Sequence, residues 1–312
     1  MNSTDIMAAL KTARRVAVLP HVGIDADALC SALAVQKIIE NYGGKAVIFA
    51  EETVPRSLEF IGGETHIWDK ADLDFDVAVA VDCGDRARLG ERQALFDAAK
   101  VKINIDHHGT NTNFGDLNMV LPDSPATCQL IYDIIDFELT PELAQLIMTG
   151  IITDTGGFRF SSTCPHTHET AAALMRAGAN SSHICEQFFD NKSFAQLKIE
   201  SAVLSAVELY HDGKTAAGYA TEQMFAETGA TTDDAQAISG ILRQIEGVST
   251  SIFAYYKNGD IKLSLRTDGI VNAAEVCSLL GGGGHVRAAG ATMQGDIKDC
   301  VKKALEAVEK YY

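Results

Sequence analysis

The sequence has no Cys-x-x-Cys pair. Its seven cysteines, Cys30, Cys83, Cys128, Cys164, Cys185, Cys277 and Cys300, are scattered and odd in number. That argues against a disulfide framework and against a cysteine zinc site, and leaves buried free thiols as the reading. Basic residues are scarce: 26 Lys and Arg stand against 42 Asp and Glu, a net charge of −16. Long nucleic acids are held by many Lys/Arg–phosphate contacts, so the balance disfavours a long-polymer binder. A small phosphorylated ligand held by metal ions and a few basic groups stays compatible with it. No apolar run reaches the roughly 18 residues needed to span a bilayer. The stretch Met1-Asn2-Ser3-Thr4-Asp5 lacks the basic start and apolar core of a signal peptide. The expectation is a cytoplasmic protein with no membrane partner. There is no internal repeat and no low-complexity segment.

What is present is ordinary globular composition, 46% hydrophobic and 22% charged over 312 residues, enough for roughly two domains. Ser3 or Thr4 is placed to cap a first helix running to about Arg14. Val16-Ala17-Val18-Leu19-Pro20 reads as a buried strand. It runs into His21-Val22-Gly23-Ile24-Asp25-Ala26-Asp27 and then a helix-forming stretch from Ala28. Strand, polar turn and helix is the arrangement that gathers ligands at the strand ends of an open α/β sheet. One acid here would suffice to cap the helix; His21 and a second acid go beyond that need. Val77-Ala78-Val79-Ala80-Val81 is a near-continuous apolar run, the mark of a parallel strand buried on both faces, and it ends in Asp82. Val101-Lys102-Ile103-Asn104-Ile105 alternates apolar and polar residues, reads as another strand, and ends in Asp106-His107-His108. An acid and two imidazoles at a strand end suggest a metal or phosphate site.

Thr140-Pro141-Glu142 predicts a helix start, with Thr as the cap and Pro in the first turn. At helical spacing Asp154 then falls on the inward face with Leu143 and Ile147. A buried acid needs a partner, either a cation or a buried Arg. His166 and His168 are read as part of a loop and the cap of the next helix. Residues 186–210 are helix-forming and mixed in charge, a connection between domains. Beyond them, Lys257-Asn258-Gly259 between two strand patterns is a hairpin signal. Gly281 to Gly284 followed by His285 suggests a loop whose backbone N–H groups approach an anion.

Taken together, His21, Asp25 and Asp27, then Asp82, then Asp106-His107-His108, then Asp154, resemble the DHH phosphoesterase family. Gly282-Gly283-Gly284-His285 with Ala288-Ala289-Gly290 resembles the substrate-binding domain associated with it. One departure is Gly23-Ile24 before Asp25, where many relatives carry proline. The resemblance implies an α/β fold with a mostly parallel N-terminal sheet flanked by helices. A smaller α/β C-terminal domain follows, with a cleft between the two. The domains would be 1–185, a helical linker 186–210, and 211–312. It implies two divalent ions, most commonly Mn2+. His21, Asp25 and Asp82 would hold one, and Asp27, Asp82, His107 and Asp154 the other. His108 would face the scissile phosphate, Asp106 would orient a ligand histidine, and Arg266 with Gly282, Gly283, Gly284 and His285 would receive the rest of the substrate. The implied activity is hydrolysis of short oligonucleotides or dinucleotides such as pApA, and of 3′-phosphoadenosine 5′-phosphate (pAp); a homodimer is left open. The alternatives are a pyrophosphatase-like hydrolase, a long-strand exonuclease and a non-catalytic nucleotide-binding protein. The glycine–histidine segment speaks against the first, the acidic balance against the second, and the complete ligand set against the third.

Overall fold

In the computed structural model, which describes residues 3–71 and 73–312, the apolar runs of the N-terminal half become six strands. They are β1 (Arg15–Pro20), β2 (Lys45–Ala50), β3 (His66–Ile67), β4 (Val77–Val81), β5 (Val101–Asp106) and β6 (Leu117–Val120). They form one sheet in the order β3-β2-β1-β4-β5-β6, and every pairing is parallel. Alternate residues serve two separate cores. Val16, Val18, Val79, Val81, Ile103 and Ile105 face one, and Ala17, Leu19, Ala78 and Ala80 face the other. Burial on both faces explains why these strands read as continuous apolar runs. Each Val, Leu or Ile among them contributes about 1.5–3 kcal/mol when fully withdrawn from water.

The strand order reverses direction between β1 and β4. At such a switch point the connections leave to opposite sides and open a crevice at the carboxyl ends of the strands. His21 follows β1, Asp82 follows β4 and Asp106 closes β5, so the sheet order itself delivers these side chains to one edge. The first helix runs Ser3–Thr12, so Ser3 and Thr4 lie inside it and do not precede it as caps. Helix Pro141–Asp154 starts as its sequence dictates: Thr140 accepts a bond from Leu143 N at 3.2 Å and Pro141 opens the first turn. Among the described residues no helix is long and apolar enough to cross a membrane. Cys30, Cys83, Cys128, Cys277 and Cys300 are buried free thiols, while Cys164 and Cys185 are half-buried.

The chain divides into two compact units at Asn191 and Lys192. The stretch read as a connection, 186–210, is split by that division. Glu186–Asp190 closes the first unit, and helix Phe194–Leu204 buries Ile199 and Val203 in a core of the second.

The second unit has a mixed sheet of β7 (Glu208–Tyr210), β8 (Thr215–Ala220), β9 (Thr250–Lys257), β10 (Asp260–Thr267), β11 (Gly283–Gly284) and β12 (Ala288–Met293), ordered β11-β12-β10-β9-β8-β7. The β9–β10 hairpin turns through Asn258 (φ +55°) and Gly259 (φ +83°). Two successive left-handed residues match the strand twist and account for the Asn-Gly pair. Ile252, Ala254, Leu263 and Leu265 face one core, Phe253 and Tyr255 another.

Candidate metal centre

Among the described residues, three groups of potential ligands lie with their donor atoms within 4.8 Å of one another: His21, Asp25 and Asp82; Asp82, His107 and His108; and Asp27, His107 and Asp154. Asp82 is common to the first two. Its backbone takes the left-handed conformation at the end of β4 (φ +53°), while its N–H still reaches Ile105 O at 2.9 Å. Asp tolerates that region better than most residues. Its two oxygens diverge: Oδ2 is 3.5 Å from His21 Nε2, and Oδ1 is 3.4 Å from His107 Nε2.

Asp25 does two jobs at once. Its carboxylate caps helix Ala26–Asn41 by accepting from Ala28 N at 3.0 Å through Oδ1, and Oδ2 stands 3.5 Å from His21 Nε2. Asp27, in the first turn of that helix, is buried and accepts from Thr127 N at 2.6 Å and Cys128 N at 3.1 Å. Both donors belong to the first turn of helix Thr127–Ile134, where amides lack partners within their own helix. Thr127 Oγ1 also donates to Asp82 Oδ1 at 2.9 Å. Asp154 ends helix Pro141–Asp154, half-buried, with Oδ2 3.2 Å from His107 Nε2.

The ring orientations suit cation binding. His107 donates through Nδ1 to Ser124 O at 3.1 Å, and His21 Nδ1 lies 2.9 Å from Val22 O. A carbonyl accepting Nδ1–H fixes the tautomer and leaves the Nε2 lone pair for a metal. Arg88 Nη2 is also 2.9 Å from His21 Nδ1, and 3.1 Å from Val22 O. With Nδ1 protonated, the carbonyl accepts from both groups and the guanidinium–ring approach is a contact only.

Asp106 departs from the role read for it. It is fully buried, and its Oδ1 is 2.6 Å from His108 Nδ1 while its Oδ2 accepts from Asn111 Nδ2 at 2.6 Å. The histidine it orients is therefore His108, and Ser124 O takes the corresponding place at His107. The reason is local: two consecutive residues cannot both reach back to Asp106, and the chain turns His107 towards Asp82 and Asp154. Gly84 permits this packing, since a Cβ there would sit 3.0 Å from that of His108.

The charges show what the centre lacks within the chain. Burial works to raise the Asp82 carboxyl, but its bond to His21 and the neighbouring imidazoles hold it below the ordinary range. Burial, then Asp82, push Asp27 up to about 7, and burial with the charge of Asp27 pushes Asp154 well up. Burial would lower His21 and His107, yet the surrounding carboxylates raise them to about 10 and about 9. The crowding thus favours the protonated forms of Asp27, Asp154 and the imidazoles of His21 and His107, while Asp82 stays ionised. Divalent cations relieve that crowding by displacing the protons, and mixed imidazole and carboxylate donors suit a transition metal such as manganese. The donor set fits a metal centre.

His166 and His168 lie elsewhere, in the first turns of helix Pro165–Arg176. His166 Nε2 is 2.8 Å from Asp133 Oδ1, and the His168 ring packs 5.2 Å from Phe158.

In the second unit, Arg266 is half-buried and bonds Ser264 Oγ at 3.2 Å and Leu265 O at 3.1 Å. It has no carboxylate partner among the described residues, and burial lowers its pKa. The glycine run is less open than its sequence suggests. Gly281 N and Gly282 N already donate to Ser278 O and Cys277 O, at 3.2 and 2.7 Å. A Cβ on Gly284 would lie 2.6 Å from Ala289 Cα, so this glycine serves close strand packing. Gly283 has open space around it, and His285 is exposed.

Residues 15–151 match the model of the DHH family, N-terminal domain, and residues 216–312 match the DHHA1 domain. The chain is 34% identical to the bifunctional oligoribonuclease and PAP phosphatase NrnA of Thermus thermophilus, over 94% of this chain and 89% of that one. The chain belongs to the DHH phosphoesterase family. The Bacillus subtilis protein of the same name is 26% identical, covering 93% of each chain. In fold, the chain is similar to the crystal structure of an exopolyphosphatase-related protein from Bacteroides fragilis (TM-score 0.94, 24% identity, 99% of this chain and 96% of that one). This DHH-family chain is accordingly a phosphate-ester hydrolase.

Proposed function

We propose that the chain is a manganese-dependent phosphodiesterase and phosphatase that hydrolyses short oligoribonucleotides and dinucleotides to mononucleotides, and pAp to AMP. The observation that carries this reading is Asp82, whose two oxygens face different groups of ligands. His21, Asp25 and Asp82 would hold one ion, and Asp27, Asp82, His107 and Asp154 the other. When bound, such ions supply Lewis acidity and a water activated at neutral pH.

The chain's own residues would do the rest. His108, held by Asp106 through Nδ1, faces the substrate with its other nitrogen, where it steadies charge on phosphorus or protonates the leaving oxygen. Arg266, with no carboxylate partner of its own among the described residues, takes a phosphate in the non-reacting part of the substrate, and Gly282, Gly283, Gly284 and His285 accompany it. A half-buried guanidinium without an anion favours a nucleotide over pyrophosphate, which has no second portion to hold. The substrate class also agrees with the names of the Thermus and Bacillus relatives, and the net charge of −16 disfavours long strands.

One assay tests the reading. Purified protein with manganese is given pApA, pAp, a five-nucleotide RNA, cyclic di-AMP and pyrophosphate. Turnover of pApA, the short RNA and pAp is expected, with pyrophosphate poorest. Preference for pyrophosphate would replace the reading with a pyrophosphatase-like one, and binding of nucleotides without turnover would make the chain a sensor.

A further inference from the structure

The turn from Pro20 to Asp25 carries two of the ligands in the first group, yet it is a loop, and its backbone groups need partners supplied from elsewhere. Those partners come from two segments distant in sequence. On one side Glu52, just beyond β2, accepts from Gly23 N and from Ile24 N, the latter at 3.1 Å. On the other side lies the segment Arg86–Arg92. Arg88 O accepts from Val22 N at 2.8 Å while Arg88 Nη2 donates to Val22 O at 3.1 Å. Arg92, only 1% exposed, donates to Pro20 O at 2.8 Å and Phe49 O at 2.6 Å, tying the ends of β1 and β2 together. Glu51 in turn holds Arg92 Nε at 3.1 Å. The backbone groups held on this turn, from Pro20 O to Ile24 N, lie between the strand end and Asp25. The clamp therefore fixes the path that sets the separation of His21 from Asp25. Gly23 adds the necessary bend: its φ is +72°, and a Cβ there would meet nothing within 4 Å.

The other ligand group rests on different supports. Ser124 O orients His107, and Thr127 N and Cys128 N hold Asp27. The hydrogen bonds of the two supports share no residue; what joins them is Asp82.

We infer that Glu52, acting with Arg88 and Arg92, is a positioning residue for the cation held by His21, Asp25 and Asp82, and that the cation held by Asp27, His107 and Asp154 is supported independently at Ser124–Cys128. The inference rests on the two-cation reading of the centre. Glu52 does not act as a ligand: its accepting oxygen is engaged by two amides, and it belongs to none of the ligand groups among the described residues.

The test uses the full chain, stripped with chelator and titrated with manganese, with free ion counted by electron paramagnetic resonance. Wild type should take up two ions. Glu52→Ala should weaken one of them by roughly 10- to 100-fold, the range for losing a group that orients a ligand, and leave the other unchanged. Glu52→Gln keeps an accepting oxygen and should retain most of the affinity. Adding Glu52→Ala to His21→Ala should cause little further loss, because both act on the same ion. Should Glu52→Ala fail to fold, Arg88→Met removes the donor to Val22 O from the opposite side and should weaken the same ion. Uptake of two ions by wild type with undiminished affinity in Glu52→Ala would overturn the clamp alone. Equal losses in the Ala and Gln variants would overturn it too, since charge and not the accepting oxygen would then matter. Fewer than two ions in wild type would overturn the two-cation reading itself.

Discussion

In the first unit, strand ends and helix ends bring Asp25, Asp27, Asp82 and Asp154 toward a few shared points beside His21, His107 and His108. In the second unit a mixed sheet, antiparallel except where β8 meets β9, carries Arg266 without a carboxylate partner among the described residues. One unit gathers negative charge at a cluster that could hold a cation; the other keeps a guanidinium with no carboxylate beside it among the described residues. In the proposed function a metal and a phosphorylated nucleotide would answer these two charges. The difference also shows how each kind of site is built. Like charges converge through many backbone contacts at strand and helix ends, whereas a lone guanidinium needs only a partly buried strand position.

The sharpest way to break the comparison is to remove Asp82, whose two oxygens face different imidazoles. Asp82→Asn should cost about 10²–10³-fold or more in kcat and reduce bound metal, measured by turnover alongside metal analysis; two retained ions with normal rates would end the account of the first unit. The second unit is addressed next. Arg266→Ala and His285→Ala should each lower kcat/KM for pApA by about ten- to a hundredfold, the worth of one charged hydrogen bond at about 1.5–3 kcal/mol. Metal content should stay unchanged, and a small artificial phosphodiester should be affected much less. Equal losses on both substrates would erase the distinction between the units.

A smaller effect is expected from packing. Gly150 lies where a Cβ would stand 2.5 Å from Asp27 Oδ1, with Cys128 pressing from the same side. Gly150→Ala should destabilise by about 1–3 kcal/mol, as overpacking does, seen as a lower melting temperature, and should loosen the ion at Asp27. Smallest of all, Gly259→Ala forces a side chain into the left-handed turn of the β9–β10 hairpin (φ +83°). It should cost about 1–2 kcal/mol in urea unfolding of the second unit and leave metal binding in the first untouched.

Much of this was legible from residues alone, and for a common reason. Asp82 and Asp106 follow apolar runs directly, so the strand period fixes where they emerge. Thr140-Pro141 and Asn258-Gly259 are local chemistry, written in adjacent residues. What could not be read came from pairings far apart in sequence. Thr127 meets Asp27 across a helix-to-helix contact and Asp82 at a strand end, Gly150 matters only because Cys128 and Asp27 stand opposite it, and Glu52 clamps a turn on the far side of a helix and a strand. Asn104, one of the polar residues of its strand, is fully buried and bonded to Cys83 O and Asn111, partners distant from it in sequence or beyond the strand end. In the glycine run, composition does not show which amides are already engaged, as those of Gly281 and Gly282 are. The one available signal was Ser124-Pro125-Ala126-Thr127, whose proline and hydroxyl residues mark a helix start and so a set of amides open to an acid.

The central claim is that the acids of the first unit act through cations they hold in common. The most direct measurement is turnover of pApA by the full chain after chelator treatment, followed by stepwise return of manganese with bound metal counted at each step. The account predicts no turnover in the stripped protein and recovery that tracks the filling of two ions per chain. Full turnover in the presence of chelator would contradict it.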